Sequence, residues 1–370
     1  MSDGPRADSR TRGTLRILRC TLTVLLLAVA VLAGLVGVAG WSFSTPGYEG
    51  PLTAHFDGKH FHNLGPPHER TFADLLKWLL SRDRTPWCPV EGAAPGPPSP
   101  LRVSEGVVSL TFVNHSTVLL QLDGWNILAD PIWSARSSPV SWSGPKRVRP
   151  PGIRFEDLPE IDLVLVSHNH YDHLDLPTLR RLDSEHGPLI LTGLGNARYL
   201  SGEGISAARD LDWWEETELR DDLRVTFVPA QHFSGRGLFD RNATLWGGFV
   251  IEAPSARVYI AGDIGFGPHF AEIRDRLGAP DLALLPIGAF EPRWFMGTAH
   301  LSPREAVETH GMLSATRSIA IHFGTFPLAD DAQGEAECLL CEAREELKVS
   351  PEAFWLLTPG DARELRRSRP

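Results

Sequence analysis

The run Ile161-Asp162-Leu163-Val164-Leu165-Val166 is apolar but for one residue and rich in β-branched side chains. Such a run reads as a strand buried on both faces, which calls for a sheet covered on both sides and hence for an α/β fold. It leads directly into Ser167–Asp175, Ser-His-Asn-His-Tyr-Asp-His-Leu-Asp. That stretch holds three imidazoles and a carboxylate, His168, His170, Asp172 and His173, within six positions. Neutral imidazole and carboxylate are what borderline divalent metals such as zinc prefer. They stand where a rigid strand gives way to a loop, a usual place for chemistry in α/β folds.

A core large enough to support this is affordable. The chain has 370 residues, 42% of them hydrophobic and 22% charged, close to soluble globular averages. The formal net charge of −10 argues against a nucleic-acid partner, which needs a basic face. It leaves an anionic substrate open, because metal ions dominate the charge of the site they occupy. Four scattered cysteines, Cys20, Cys88, Cys338 and Cys341, are too few for a disulfide framework. Cys338 and Cys341 are spaced Cys-x-x-Cys inside a Glu- and Ala-rich helical stretch with no second pair, which favours two incidental thiols over a zinc knuckle.

Residues 1–19 form a basic tail with Arg6, Arg10, Arg12, Arg16 and Arg19, and no charge follows from Cys20 to Trp41. An apolar run of about 20 residues spans a bilayer and exceeds the ~7–15 of a cleaved signal peptide. A retained transmembrane anchor over 20–41 is therefore favoured, although Val38-Ala39-Gly40 resembles a cleavage site. The basic flank would stay cytoplasmic and the catalytic domain lie on the extracytoplasmic side. Residues 42–100 read as an irregular, Pro/Gly-rich segment with one short helix, Phe72–Leu80, ahead of a domain over 101–370. In that segment and the anchor's end, Trp41, Phe43, Phe56, Phe61, Leu75, Leu76, Trp78 and Leu79 are either a membrane-facing lip or core.

From Val107 onward strand-like stretches recur at 107–112, 116–122, 125–129, 188–192, 223–229, 247–252, 256–260, 281–286, 317–321 and 353–357. Helical stretches fall at 176–182, 303–310 with Ser302 as N-cap, and 333–347. Hairpins mixed with strand–helix alternation predict two mixed sheets sandwiched between helices. Lys146, Arg147 and Arg149, in the long irregular stretch 134–151, suit either a cleft rim that attracts phosphate or a solvated loop.

His232, Asp263 and His322 also each sit just past the end of an expected strand. With the loop they make seven candidate ligands, and a single tetrahedral ion needs only about three protein ligands plus water. Seven argue for two ions a few Å apart. Asp263 is the natural bridge, and Gly262 and Gly265 beside it permit close backbone approach.

The His-x-His-x-Asp-His signature with later His, Asp and His resembles the metallo-β-lactamase superfamily. Asp130–Pro139, Gly144-Pro145-Lys146-Arg147, Pro286–Met296 and His322–Phe326 narrow the resemblance to its N-acyl-phosphatidylethanolamine-hydrolysing phospholipase D group, over roughly Val107 to Asp361. The resemblance implies an αβ/βα four-layer sandwich and two Zn2+, the first held by His168, His170 and His232. Asp172, His173 and His322 would hold the second, and Asp263 would bridge. It implies a further catalytic histidine, His300, near the scissile phosphate, and a role for Asp172 in orienting a water activated between the ions. Products would be a phosphatidic acid and an N-acylethanolamine, and a homodimer enters as an expected partner arrangement. The membrane anchor departs from the animal members of the group. Another hydrolase of the superfamily, a lactonase or cyclic-nucleotide phosphodiesterase, and a tethered metal-binding protein without turnover are the alternatives.

Overall fold

A computed structural model of the chain describes residues 8–65, 70–220 and 222–366. They fall into two compact units. The first is the chain up to Ser44 together with Gly237–Phe239, and the second is Thr45–Arg236 with the chain from Asp240 onward.

The first unit is built on α1 (Asp8–Phe43). The helix begins well before the uncharged run, because the Arg-, Thr- and Leu-containing stretch ahead of it holds no helix breaker except Gly13. Residues 1–7 of the basic tail lie outside the described residues. Thr14–Phe43 is a 30-residue stretch long and apolar enough to cross a membrane, with none of its apolar window buried.

The second unit opens with α2 (Phe72–Ser81) and the hairpin-linked strands β1 (Val107–Asn114), β2 (Thr117–Leu122) and β3 (Trp125–Ala129). Next come β4 (Leu163–Val166), α3 (Leu176–Glu185), β5 (Leu189–Gly193), α4 (Asn196–Gly202), β6 (Ala208–Leu211) and β7 (Glu216–Glu218). The chain continues through β8 (Arg224–Val228), β9 (Gly248–Glu252), β10 (Arg257–Ile260), α5 (His269–Leu277), β11 (Leu282–Pro286) and α6 (Arg293–Met296). It closes with α7 (Pro303–Met312), β12 (Arg317–Ile321), α8 (Glu335–Leu347), β13 (Phe354–Trp355) and β14 (Ala362–Arg366).

These strands make two seven-stranded mixed sheets, ordered β14-β1-β2-β3-β4-β5-β6 and β13-β12-β11-β10-β9-β8-β7. Strands β3 to β6 run parallel in the first, and β10 to β13 in the second. Period-2 alternation assigns the faces. Leu110, Leu120, Ile127, Leu163 and Leu165 pack in one core with Val225, Phe227, Phe249, Ile251 and Leu284 of the other sheet. Leu119, Leu128, Val164 and Ile190 point the other way, into a core shared with Leu179 and Leu182 of α3 and Leu200 of α4. Residues of α5, α7 and α8 cover the second sheet, including Phe270, Val307 and Leu340. Helix, sheet, sheet, helix is the expected four-layer order. Capping boxes at Thr71 and Ser302 start α2 and α7, each satisfying helix N–H groups that the helix leaves bare.

Residues 45–100 fold with this unit rather than ahead of it. Phe56, Phe61 and Trp78 are buried, whereas Leu75, Leu76 and Leu79 are exposed, so in this segment these aromatics are core and these leucines surface. The Pro/Gly stretch is bonded along the body, with Val90 N–H donating to Val148 O at 2.8 Å and Gly96 N–H to Gly152 O at 2.7 Å. Arg147 is spent on carbonyls too, donating to Ser134 O at 2.9 Å and Ile132 O at 3.2 Å. Its guanidinium is pushed down to about 10 by burial, against the pull of Asp175.

Candidate metal centre

The described strands end at one edge of the two sheets in a ring of polar residues. His115 follows β1, Asp130 follows β3, the His-rich loop follows β4, His232 follows β8, Asp263 follows β10 and His322 follows β12. His115, Asp130 and His322 hold positive φ of 49°, 38° and 60°, a left-handed backbone that costs energy for side-chain-bearing residues and clusters at functional sites. Gly262, at φ +63°, could carry no side chain: a Cβ there would lie 2.6 Å from Ser167 Cβ.

All seven expected ligands and His300 are brought together. Three sets of ligand-type atoms each lie within 4.8 Å of one another: His168, His170, His232 and Asp263; His115, Asp172, His173 and His322; and Asp263, His300 and His322. Asp263 Oδ2 is the common point. It lies 3.1 Å from His322 Nε2, 3.3 Å from His173 Nε2, 3.8 Å from His232 Nε2, 4.0 Å from His168 Nε2 and 3.8 Å from His300 Nδ1. Asp172 Oδ2 is the second focus, 3.3 Å from both His173 Nε2 and His322 Nε2. On the far side His170 Nδ1 faces His168 Nε2 at 2.8 Å and His232 Nε2 at 3.3 Å.

These spacings suit metal ions. Ligand atoms about 2.0 Å from a tetrahedral zinc stand about 3.3 Å apart along each edge. The polar inventory agrees. Among the described residues, Asp263 Oδ1 is a buried acceptor without a hydrogen-bond partner, a cost that a coordinated cation removes.

Supporting contacts fix which ring nitrogen faces inward. Asp130 accepts from His173 Nδ1 at 2.8 Å, and from Ser167 N–H and Ser167 Oγ, each at 2.8 Å. His232 donates from Nδ1 to Ala299 O at 2.9 Å. Its peptide is held on both sides by one side chain: Asn63 Oδ1 accepts from His232 N–H at 2.9 Å and Asn63 Nδ2 donates to His232 O at 2.8 Å. His115 Nε2 donates to Asp172 Oδ2 at 2.9 Å. Carboxylates and carbonyls behind ligand imidazoles are the usual way of orienting a metal site.

The electrostatics are those of a buried anionic pocket. Burial would raise Asp263, but His173 and His322 outweigh it and hold the carboxyl well below its ordinary range. Asp172 is likewise driven well below despite burial, by His173 and by hydrogen bonds from His115, His173 and His322. Burial opposes charge on His173 and His322, yet the carboxylates of Asp263 and Asp172 raise His173 well above the ordinary value and His322 to about 9. Burial pushes His170, His115 and His300 down to about 4. Burial, joined for His168 by its histidine neighbours, drives His168 and His232 well below the ordinary value.

Three supporting residues escape a search for ligand motifs. His115 and Asp130 obey the same rule as the ligands, a polar residue directly past a strand, and applying that rule to every strand finds both. Asn63 carries no such signal.

Comparison with known proteins agrees with this picture. A family model described as a β-lactamase superfamily domain matches residues 125–323. An N-acyl-phosphatidylethanolamine-hydrolyzing phospholipase D 1 of Caenorhabditis elegans is 41% identical over 66% of this chain and 70% of its own. An uncharacterized protein of Mycobacterium tuberculosis is 37% identical over 77% of this chain and 78% of its own. Among solved structures, an isothiocyanate hydrolase from Delia radicum gut bacteria superposes with a TM-score of 0.58 at 20% identity, covering 70% of this chain and 99% of its own. With the four-layer fold and a pocket of converging imidazoles and carboxylates, these likenesses make the chain a metallo-hydrolase belonging to the metallo-β-lactamase superfamily, with phospholipases D that hydrolyse N-acyl-phosphatidylethanolamine among its relatives.

Proposed function

We propose that this chain is a two-zinc phosphodiesterase of phospholipase D type, hydrolysing N-acyl-phosphatidylethanolamine-like lipids to a phosphatidic acid and an N-acylethanolamine. The observation that carries the reading is Asp263 Oδ2, a single oxygen within 4.0 Å of His168, His173, His232 and His322. One carboxylate oxygen amid so many inward-facing nitrogens would suit a residue shared by two ions. The named activity of the 41% identical relative supports the substrate class.

His168, His170 and His232 would hold one ion, Asp172, His173 and His322 the other, and Asp263 both. Zinc suits five imidazoles and two carboxylates. When bound, the pair supplies Lewis acidity and brings the pKa of a water toward neutrality. The chain's residues do the rest. Asp172, steadied by His115 at 2.9 Å, orients the attacking water. His300, neutral through burial and 3.8 Å from Asp263, offers its imidazole to the phosphoryl group where charge develops. Phosphorus gains the water oxygen, the bond to the ethanolamine oxygen breaks, and the proton passes to that leaving oxygen. The helix α1 would anchor the enzyme in a membrane, with the second unit extracytoplasmic, and a homodimer would be its assembly.

The full chain, purified in detergent and supplied with zinc, is to be offered N-acyl-phosphatidylethanolamine, a lactone and a generic phosphodiester. Release of N-acylethanolamine is expected, and turnover of the lactone alone sinks the reading. His170→Ala should abolish turnover, and unchanged turnover refutes the ligand assignment. A C-terminal reporter active only in the cytoplasm overturns the orientation, and a monomer by sedimentation overturns the dimer.

A further inference from the structure

The first compact unit is more than a helix. It includes Gly237-Leu238-Phe239, a loop tip that follows His232 in the chain. Within that unit the approach is close, and at Gly237 it meets backbone. A Cβ on Gly237 would lie 2.4 Å from Gly40 O and 2.3 Å from Ser44 Oγ, and one on Gly40 would lie 2.5 Å from Leu238 Cδ1. Small residues permit this kind of backbone contact against an apolar helix.

The tip turns its polar groups toward the end of α1. Leu238 N–H donates to Gly40 O at 3.4 Å and Phe239 N–H to Ser44 Oγ at 3.2 Å, while Ser44 Oγ donates to Gly40 O at 2.8 Å. Part of what a helix C-terminus leaves unsatisfied is thereby covered. Much of each apolar side chain stays accessible: Leu238, which lies over Gly40, is 61% and Phe239 64% exposed, beside a last helical turn whose Trp41 is 74% exposed. A soluble surface gains nothing from this arrangement. Aromatic and aliphatic side chains around the end of a membrane-spanning helix are, in contrast, the usual anchors at the lipid–water interface.

We propose that Gly237–Phe239 is a membrane-docking tip, with Leu238 and Phe239 entering the bilayer interface where α1 leaves it. This rests on the reading of α1 as a membrane span. The occupant is lipid because the tip is hydrogen-bonded to the exit of the span, so what surrounds that last turn surrounds the tip. The flanks of the tip belong to the second unit and are firmly held there. Arg236 donates from Nη1 to Asn169 O at 2.7 Å and Leu174 O at 2.8 Å, both in the stretch that carries His168, His170, Asp172 and His173. Asp240 accepts from Thr45 N–H at 2.8 Å and Thr45 Oγ1 at 3.0 Å.

The test uses the full chain with its four native cysteines replaced by serine, reconstituted in phosphatidylcholine vesicles that carry shallow nitroxide lipids. An environment-sensitive fluorophore is attached to Leu238→Cys, with Phe239→Cys as a second variant should the first fail to fold, and to Trp41→Cys as the marker of the span. Blue-shifted emission at the tip, quenched as strongly as at position 41, is expected. A quenched marker with a solvent-like tip overturns the docking tip and leaves the span intact. A solvent-like marker overturns the span, and the docking tip with it.

Discussion

Truncating Asn63 to alanine separates a metal-positioning contact from a merely structural one. The side chain makes two hydrogen bonds, 2.8 and 2.9 Å, to the carbonyl and N–H of a single residue, His232, and its Oδ1 also accepts from Trp246 Nε1 at 3.2 Å. The Trp246 indole keeps a second acceptor, Ala230 O at 2.9 Å, so the loss falls on the His232 peptide. At about 1 kcal/mol net per hydrogen bond, the two come to about 2 kcal/mol, and at 1.4 kcal/mol per decade that is about 30-fold. Outer contacts of metal ligands typically carry about 10–100-fold in affinity, so the figure is of the right size. His168 and His170 stand on a different loop with its own bonds, and among the described residues the Asn63 side chain hydrogen-bonds His232 and Trp246, not Asp172, His173 or His322. Zinc should therefore leave the site that contains His232 about 30-fold more readily, while the other ion keeps its wild-type affinity. Chelator competition monitored by metal analysis reads both steps on the full chain in detergent. Asn63→Asp, which keeps the acceptor and loses the donor, should fall between wild type and Asn63→Ala. Equal weakening of both ions, or wild-type affinity at both with only a lowered melting temperature, refutes the reasoning.

Removal of His115 by substitution with phenylalanine should lower kcat with little change in KM, because Asp172 loses the donor at 2.9 Å that fixes its oxygen; steady-state kinetics on a soluble phosphodiester check this. His269 is buried, lies tilted against Phe270 with ring centroids 4.2 Å apart and is pushed down to about 4 by burial. Its contribution to stability is fully present above the unfolded value near 6.5 and is lost as pH falls through about 4, since the unfolded chain binds the proton first. Replacing it with phenylalanine should remove up to about 3 kcal/mol of the acid sensitivity across that window, read as a shallower slope in urea unfolding against pH. Gly262→Ala forces a Cβ to within 2.6 Å of Ser167 at a left-handed position, and a loss above about 2 kcal/mol is expected in thermal melts. Stripping metal should lower the melting temperature and zinc should restore it, since an ion at 1,000 times its Kd adds about 4 kcal/mol.

What could be read from the residues divides along a physical line. Strands buried on both faces, such as β4 and β11, announce themselves through unbroken apolar runs, and both are fully buried. The candidate ligands were equally conspicuous, because a His-x-His-x-Asp-His loop after such a strand has few other uses, and the structure draws them together. The elements that escaped are those whose pairing is not written in their own composition. β14, Ala-Arg-Glu-Leu-Arg, and β7, Glu-Thr-Glu, are edge strands with charged side chains, a device that shields sheet edges and erases the apolar signal. Helix α5 was hidden by a polar sequence that buries only His269, Phe270 and Ile273. Asn63 was hidden more deeply still, since its partner stands 169 residues away and no local pattern links them.

The same division explains why residues 45–100 read as a prelude to the domain and fold as part of it. Their Pro, Gly and aromatic content describes how the chain bends, not what it lies against. Phe61 is fully buried, and its N–H donates to Asn242 O at 2.8 Å, which carries Asn63 to the His232 peptide. Asn242 in turn accepts at Oδ1 from Ser234 N–H at 3.4 Å, on the loop that His232 begins. One candidate ligand, His232, thus depends on a segment far upstream, on its own strand β8 and on the Ala299 carbonyl. His173, by contrast, is fixed within the first sheet by Asp130. Each candidate set joins the loop after β4 of the first sheet to a residue of the second, His232 after β8 or His322 after β12, and Asp263 after β10 stands between them, so an ion bound at either set would tie the sheets together. The set built on His232, with more distant supports, is the one expected to loosen first.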